Sequence, residues 1–114
     1  MAERDRLYLL TAPFEDGPDG PWFCFDCAAV EGALLASPHW ADRVEIHRLA
    51  WPRPRAEIVA ILGEGAQDLP ALVLADGAET AEAVLEANGM RFLTDPRAIT
   101  RYLTDRHGGA APHP

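Results

Sequence analysis

The sequence predicts one α/β domain: a four-stranded mixed sheet in the order β-α-β-α-β-β-α, with helices on both faces. Three observations carry this. Short apolar runs alternate with stretches of helical spacing over a chain of 114 residues, the size of one compact core. Proline and glycine punctuate nearly every change of pattern. A first crossover between parallel strands is right-handed, which leaves few topologies for this element order.

The first strand is Arg6 to Leu10, mostly apolar, as a strand covered on both faces should be. From Gly17 to Pro21, four of five residues are glycine or proline, so this stretch is an exposed loop. It runs directly into Cys24-Phe25-Asp26-Cys27. A first helix then begins at Phe25, with Ala28, Val30, Ala33, Leu34 and Leu35 at helical spacing, and ends at Ser37-Pro38. Arg43 to Leu49 reads as a second strand with one more polar face, hence near a sheet edge.

Trp51-Pro52-Arg53-Pro54-Arg55 is a stiff connection, with Pro54 suited to the first helical position. Ile58, Ile61 and Leu62 form the apolar stripe of a second helix, and Gly63 stops it. Leu69 to Ala75 is a buried strand that opens on Pro70, and Met90 to Thr94 is the fourth strand. Asp95-Pro96 starts the last helix, Ile99, Tyr102 and Leu103 form its buried stripe, and Gly108 closes it. Between strands three and four, residues 76–89 have helical composition but a thin apolar face, so a short helix and an acidic mobile loop stay equally open. The domain is expected over residues 1–108, and 109–114 as a loose tail with nothing to bury.

Apolar residues make up 48% of the chain, enough for a core without disulfide or metal staples. The net charge of −8 repels phosphate backbones and anionic lipid surfaces, so neither nucleic acid nor membrane is an expected partner. The charged N-terminus and the short run Leu7 to Leu10 do not make a secretory leader or a membrane span, and a cytoplasmic setting is expected. There, two cysteines separated by two residues point to redox or metal chemistry.

Taken together, the positions of Cys24, Cys27 and Pro70 resemble the thioredoxin and glutaredoxin superfamily over roughly residues 6 to 107. The cysteines fall after the first strand at the start of the first helix, Pro70 immediately precedes the third strand, and a hairpin and helix close the chain. More narrowly, Leu7-Tyr8-Leu9-Leu10, Phe23-Cys24 through Glu31-Gly32, Pro52 to Arg55, and Leu69-Pro70 through Asp76-Gly77 are similar to an uncharacterised bacterial family of thioredoxin-like domains of unknown function. The resemblance implies a thioredoxin-like fold, Cys24 as an exposed nucleophile, Cys27 as the resolving thiol, and a cis bond at Pro70 that shapes a substrate cleft with Leu69. Phe25 and Asp26 between the cysteines depart from the Gly-Pro or Pro-Tyr of well-known oxidoreductases, and the glycine-rich glutathione motif after the third strand has no clear counterpart.

Thiol–disulfide exchange suits the motif, because a helix N-terminus stabilises a thiolate and a cysteine one turn on can reach the first sulfur. The substrate would be a protein or small-molecule thiol or disulfide, handled by a monomer or weak dimer. Asp26, a like charge beside a developing thiolate, predicts a sluggish nucleophile and a more reducing couple. Trp22 and Phe23 either rim the cleft or fill the core below the loop. Arg53 and Arg55 form the one basic spot and either hold an anion or sit in surface ion pairs. The alternative to an enzyme is a thioredoxin-like binding module with a vestigial cysteine pair. Zinc needs four ligands where Cys24 and Cys27 supply two, with His39 at the far end of the first helix and His47 on a strand surface; His107 and His113 lie at the last helix end and in the tail. No metal and no cofactor are expected.

Overall fold

A computed structural model describes residues 2–114. Its elements run β1 (Arg6–Leu10), α1 (Phe25–Ala36), a 3-10 turn (Pro38–Asp42), β2 (Glu45–Leu49), α2 (Ala56–Leu62), β3 (Ala71–Val73), β4 (Leu85–Ala87), β5 (Met90–Leu93) and α3 (Pro96–His107). The sheet has five strands, not four, in the order β2-β1-β3-β5-β4. β1 and β2 are parallel, with Leu7 opposite Ile46; β3, β5 and β4 continue antiparallel, with Leu72 opposite both Leu7 and Leu93. As expected of its more polar pattern, β2 lies at an edge.

Alternation along each strand divides the core between the two faces. Leu7, Leu9, Leu72 and Leu93 pack with Val30 of α1 and Ile99, Tyr102 and Leu103 of α3. Tyr8, Ala71, Val73 and Phe92 turn the other way, onto Ile58 and Leu62 of α2. Trp40 in the 3-10 turn is fully buried, and its indole Nε1–H donates to Gly108 O at 2.7 Å, which ties the end of α1 to the end of α3. Capping in α3 follows the local signals. The Asp95 carboxylate accepts from Ala98 N at 2.9 Å, and Gly108 takes φ 75° as the helix stops.

Residues 76–89 form neither of the two expected structures. Asn88 (φ 52°) and Gly89 (φ 74°) make a two-residue turn with positive φ at both centres, which folds Leu85–Ala87 back on β5 as an added edge strand. Earlier in the segment, Glu82 accepts two hydrogen bonds from Arg101 at 2.8 and 3.0 Å, so the loop is tied to α3. α2 begins at Ala56, two residues after the expected Pro54, because Arg55 is held in an extended conformation as the residue before the helix. The segment expected as a loose tail from residue 109 hydrogen-bonds back to the domain. Ala110 N donates to Ser37 Oγ at 2.8 Å, Ala110 O accepts from Thr104, and His113 O accepts from Arg97. Among the described residues no helix is long and apolar enough to cross a membrane.

Candidate functional site

The two cysteines sit where β1 hands the chain, through the loop, to α1. Cys24 is the residue before the first helical turn, in an extended conformation (φ −78°, ψ 119°). That conformation leaves its sulfur facing the orphan N–H groups of the turn, and Cys27 N–H donates to Cys24 Sγ at 3.2 Å. Ala28 N–H closes the first helical bond onto Cys24 O at 2.9 Å. Cys27, one turn in, points into the core, 2% exposed, and Leu10 N–H at the end of β1 donates to its sulfur at 3.5 Å. The two thiols are free, and Cys24 is the half-buried one. Burial, above all, pushes the Cys27 thiol up to about 12; Cys24 and Asp26 add to the rise, and the Leu10 N–H opposes it.

The loop before β3 supplies the facing wall. The Leu69–Pro70 bond is cis, Pro70 is buried, and Cys24 Sγ–H points to Leu69 O at 3.9 Å, a weak contact. The structure therefore brings Cys24, Cys27, Leu69 and Pro70 to one end of the sheet.

Two cavities open beside Cys24. The larger, about 560 Å³, runs along α1 and includes Phe23 and Leu35, with the Arg48–Glu31 pair at its edge. Arg48 donates twice to that carboxylate at 2.8 Å and holds it below the usual carboxylate range. The smaller, about 270 Å³, lies between Cys24, Leu69, Phe14, Trp51, Arg53, Arg55 and Asp68. Its aromatic wall is a stacked pair, Phe14 on Trp51, with ring centres 4.7 Å apart and planes 6° from parallel. Phe14 reaches this place because it exchanges two backbone hydrogen bonds with Trp22, at 2.8 and 2.9 Å, which closes the Gly/Pro-rich loop.

Several expected site residues take other roles. Phe23, 63% exposed, does rim the dithiol, whereas Trp22 lines neither cavity and donates its indole N–H to Asp16 O. Asp26 faces away from the cleft, into the groove between α1 and α3 beside Phe25 and Arg97. It is exposed there, and its charge is the smallest of the causes that raise the Cys27 thiol. Arg55 is no surface residue: it is 5% exposed, and its guanidinium donates to Trp51 O (2.8 and 3.1 Å) and Gln67 O (2.7 Å). It also lies over the Trp51 ring, 5.3 Å from its centre. Burial and then Arg53 lower its pKa, while Asp68 and the two cysteines oppose that effect. Arg53 is exposed and pairs with Asp68 at 3.1 Å.

The histidines stand apart from the dithiol. His47 stacks on Tyr8 at β2, and His39 hydrogen-bonds His107 O at the other end of α1. Sequence reasoning passed over Phe14 as a cleft residue and Asp5 as a buried anchor. Asp5 is buried at the far end of β1, where it accepts from Tyr102 OH (2.7 Å) and Ala75 N (2.8 Å) and pairs with Arg106 and His107, both at 3.3 Å. Only its position just before an apolar strand marks it in the sequence, and that is too little to reveal four donors drawn from distant segments.

A family model described as a protein of unknown function (DUF3088) matches residues 4–111. No curated protein and no solved structure matches the chain.

Proposed function

The chain belongs to the DUF3088 family, and we propose that its function is thiol–disulfide exchange on a thioredoxin-like scaffold in the cytoplasm. One observation carries the reading: the Cys24 sulfur accepts a helix-terminal N–H at 3.2 Å while Cys27 is held behind it in the core. A parallel β1–β2 pair followed by antiparallel β3 and β5, and Pro70 across from the dithiol, support the scaffold assignment.

The chemistry follows from this asymmetry. Cys24 as thiolate attacks one sulfur of a substrate disulfide; a new bond forms from Cys24 Sγ, the substrate S–S bond breaks, and one substrate thiol leaves with a proton. Cys27, deprotonated as it attacks, then bonds to Cys24 Sγ and expels the second substrate thiol. The protein dithiol is oxidised by two electrons and the substrate disulfide is reduced by two. A dithiol reductant returns the protein to its starting state. Helix-terminal N–H groups stabilise the thiolate of Cys24, and the burial of Cys27 keeps the second thiol protonated until the first has reacted.

The test is a redox titration with thiol counting, joined to a disulfide-reductase assay of wild type, Cys24→Ser and Cys27→Ser. The expected result is a reversible intramolecular disulfide, activity lost in Cys24→Ser, and a mixed disulfide that accumulates in Cys27→Ser. Two thiols inert to oxidant and reductant would instead make the chain a binding module on the same scaffold.

A further inference from the structure

Charge in this protein is distributed against its own average around the nucleophile. The chain carries a net −8, so its long-range field draws cations and repels anions. The 270 Å³ cleft beside Cys24 has the opposite balance, two arginines against one carboxylate. Arg55 is buried, held by backbone carbonyls, and has no carboxylate paired with it among the described residues. Its cation is therefore built into the cleft. Among the described residues Arg53 is paired only with Asp68, whose side chain is 84% exposed. An exposed pair of this kind contributes little, and an incoming carboxylate can replace Asp68 at Arg53 with small loss.

From this arrangement we infer that the cleft selects small disulfides bearing a carboxylate near the reacting sulfur, with Arg53 as the specificity-determining residue. The substrate's sulfur meets Cys24, its carboxylate meets Arg53, and its carbon chain lies against the stacked Phe14–Trp51 wall. A cleft of about 270 Å³ is of a size to seat a small molecule. The fixed charge of Arg55 adds to the field at the carboxylate without needing to move. The reaction is the exchange already written: reduced protein and one disulfide give the Cys24–Cys27 disulfide and two small thiols.

The inference rests on the thiol–disulfide reading, and one set of measurements separates their failures. Reduced protein is mixed in single turnover with three small disulfides: dithiodiglycolate (anionic), 2-hydroxyethyl disulfide (uncharged) and cystamine (cationic). Each rate is divided by that disulfide's rate with a simple thiol. The corrected rate should be about threefold to tenfold higher for the anion than for the uncharged disulfide, and lowest for the cation. Arg53→Gln should remove most of that ratio, and Asp68→Asn should increase it. A preference for cystamine, as the net charge alone dictates, or a ratio unmoved by both substitutions, overturns the inference while leaving the exchange chemistry intact. If none of the three oxidises the protein, the oxidoreductase reading fails. Alkylation of Cys24 then decides the cleft's charge preference: iodoacetate must outpace iodoacetamide relative to a simple thiol, and Arg53→Gln must reverse this.

Discussion

Replacing Cys24 with serine leaves Cys27 as the only thiol, and its reactivity measures how firmly the fold hides the second sulfur. Cys27 is 2% exposed, and burial is the largest of the causes that move it from 9.0 to about 12. At neutral pH a thiol at 9 is ionised in about one molecule per hundred and a thiol at 12 in about one per hundred thousand. Alkylation proceeds through the thiolate, and burial, the largest cause, remains when the smaller Cys24 contribution is removed, so the folded variant should react up to about a thousandfold more slowly than the same variant in urea. The assay is iodoacetamide labelling followed by mass spectrometry across neutral to alkaline pH. The rate should rise about tenfold per pH unit to beyond pH 10. A plateau below about pH 10, or a folded rate within about tenfold of the unfolded one, would refute the argument that burial holds this thiol protonated. Stability should carry the same signature. An acid raised by folding ionises first in the unfolded chain, so its contribution is intact below pH 9 and is lost between 9 and about 12. The expected Cys27 part of the slope is at most about 1.4 kcal/mol per pH unit, and Cys27→Ala should remove that part while leaving the part due to the buried Tyr8 and Tyr102 hydroxyls, which folding also raises.

At the other end of β1, Asp5→Ala strands Tyr102 OH, Ala75 N–H, the Arg106 guanidinium and the His107 ring, and should cost about 3–5 kcal/mol in urea unfolding. Asp5→Asn keeps an oxygen for Tyr102 and Ala75 and should cost about 1–2 kcal/mol; equal losses in the two variants would contradict this account. In the β4–β5 turn, Gly89→Ala meets open space but must hold φ 74°, so thermal unfolding should report a loss of about 1 kcal/mol. A neutral result there would mean that the turn is not held in this conformation.

Local signals explain why most of the element order was legible. Asp95-Pro96 starts α3, and Gly63 and Gly108 stop α2 and α3; each acts within one turn of chain, so each can be read from its neighbours. β4 was missed although Asn88-Gly89 is itself a local hairpin signal, flanked by Leu85 and Phe92. The alanine- and glutamate-rich composition before it suggested helix, and the turn outweighed that composition by pairing three residues with an existing strand.

The dithiol's place was equally legible, because a cysteine before a helix and another one turn later is a matter of adjacent residues. What surrounds it was not. Arg55 has the composition of a surface residue and is buried because Trp51 O and Gln67 O receive its guanidinium. Phe14 enters the cleft through pairing with Trp22 and stacking on a tryptophan from beyond β2. Asp26 lies between the two cysteines in sequence, yet the helix turns it to the opposite groove. Sequence alone determined the order of elements and the two sulfurs at one helix start, since backbone preferences and capping act over a few residues. Only the tertiary structure decided which charges and rings face those sulfurs, because such contacts join segments tens of residues apart and their energies depend on burial that no local pattern records.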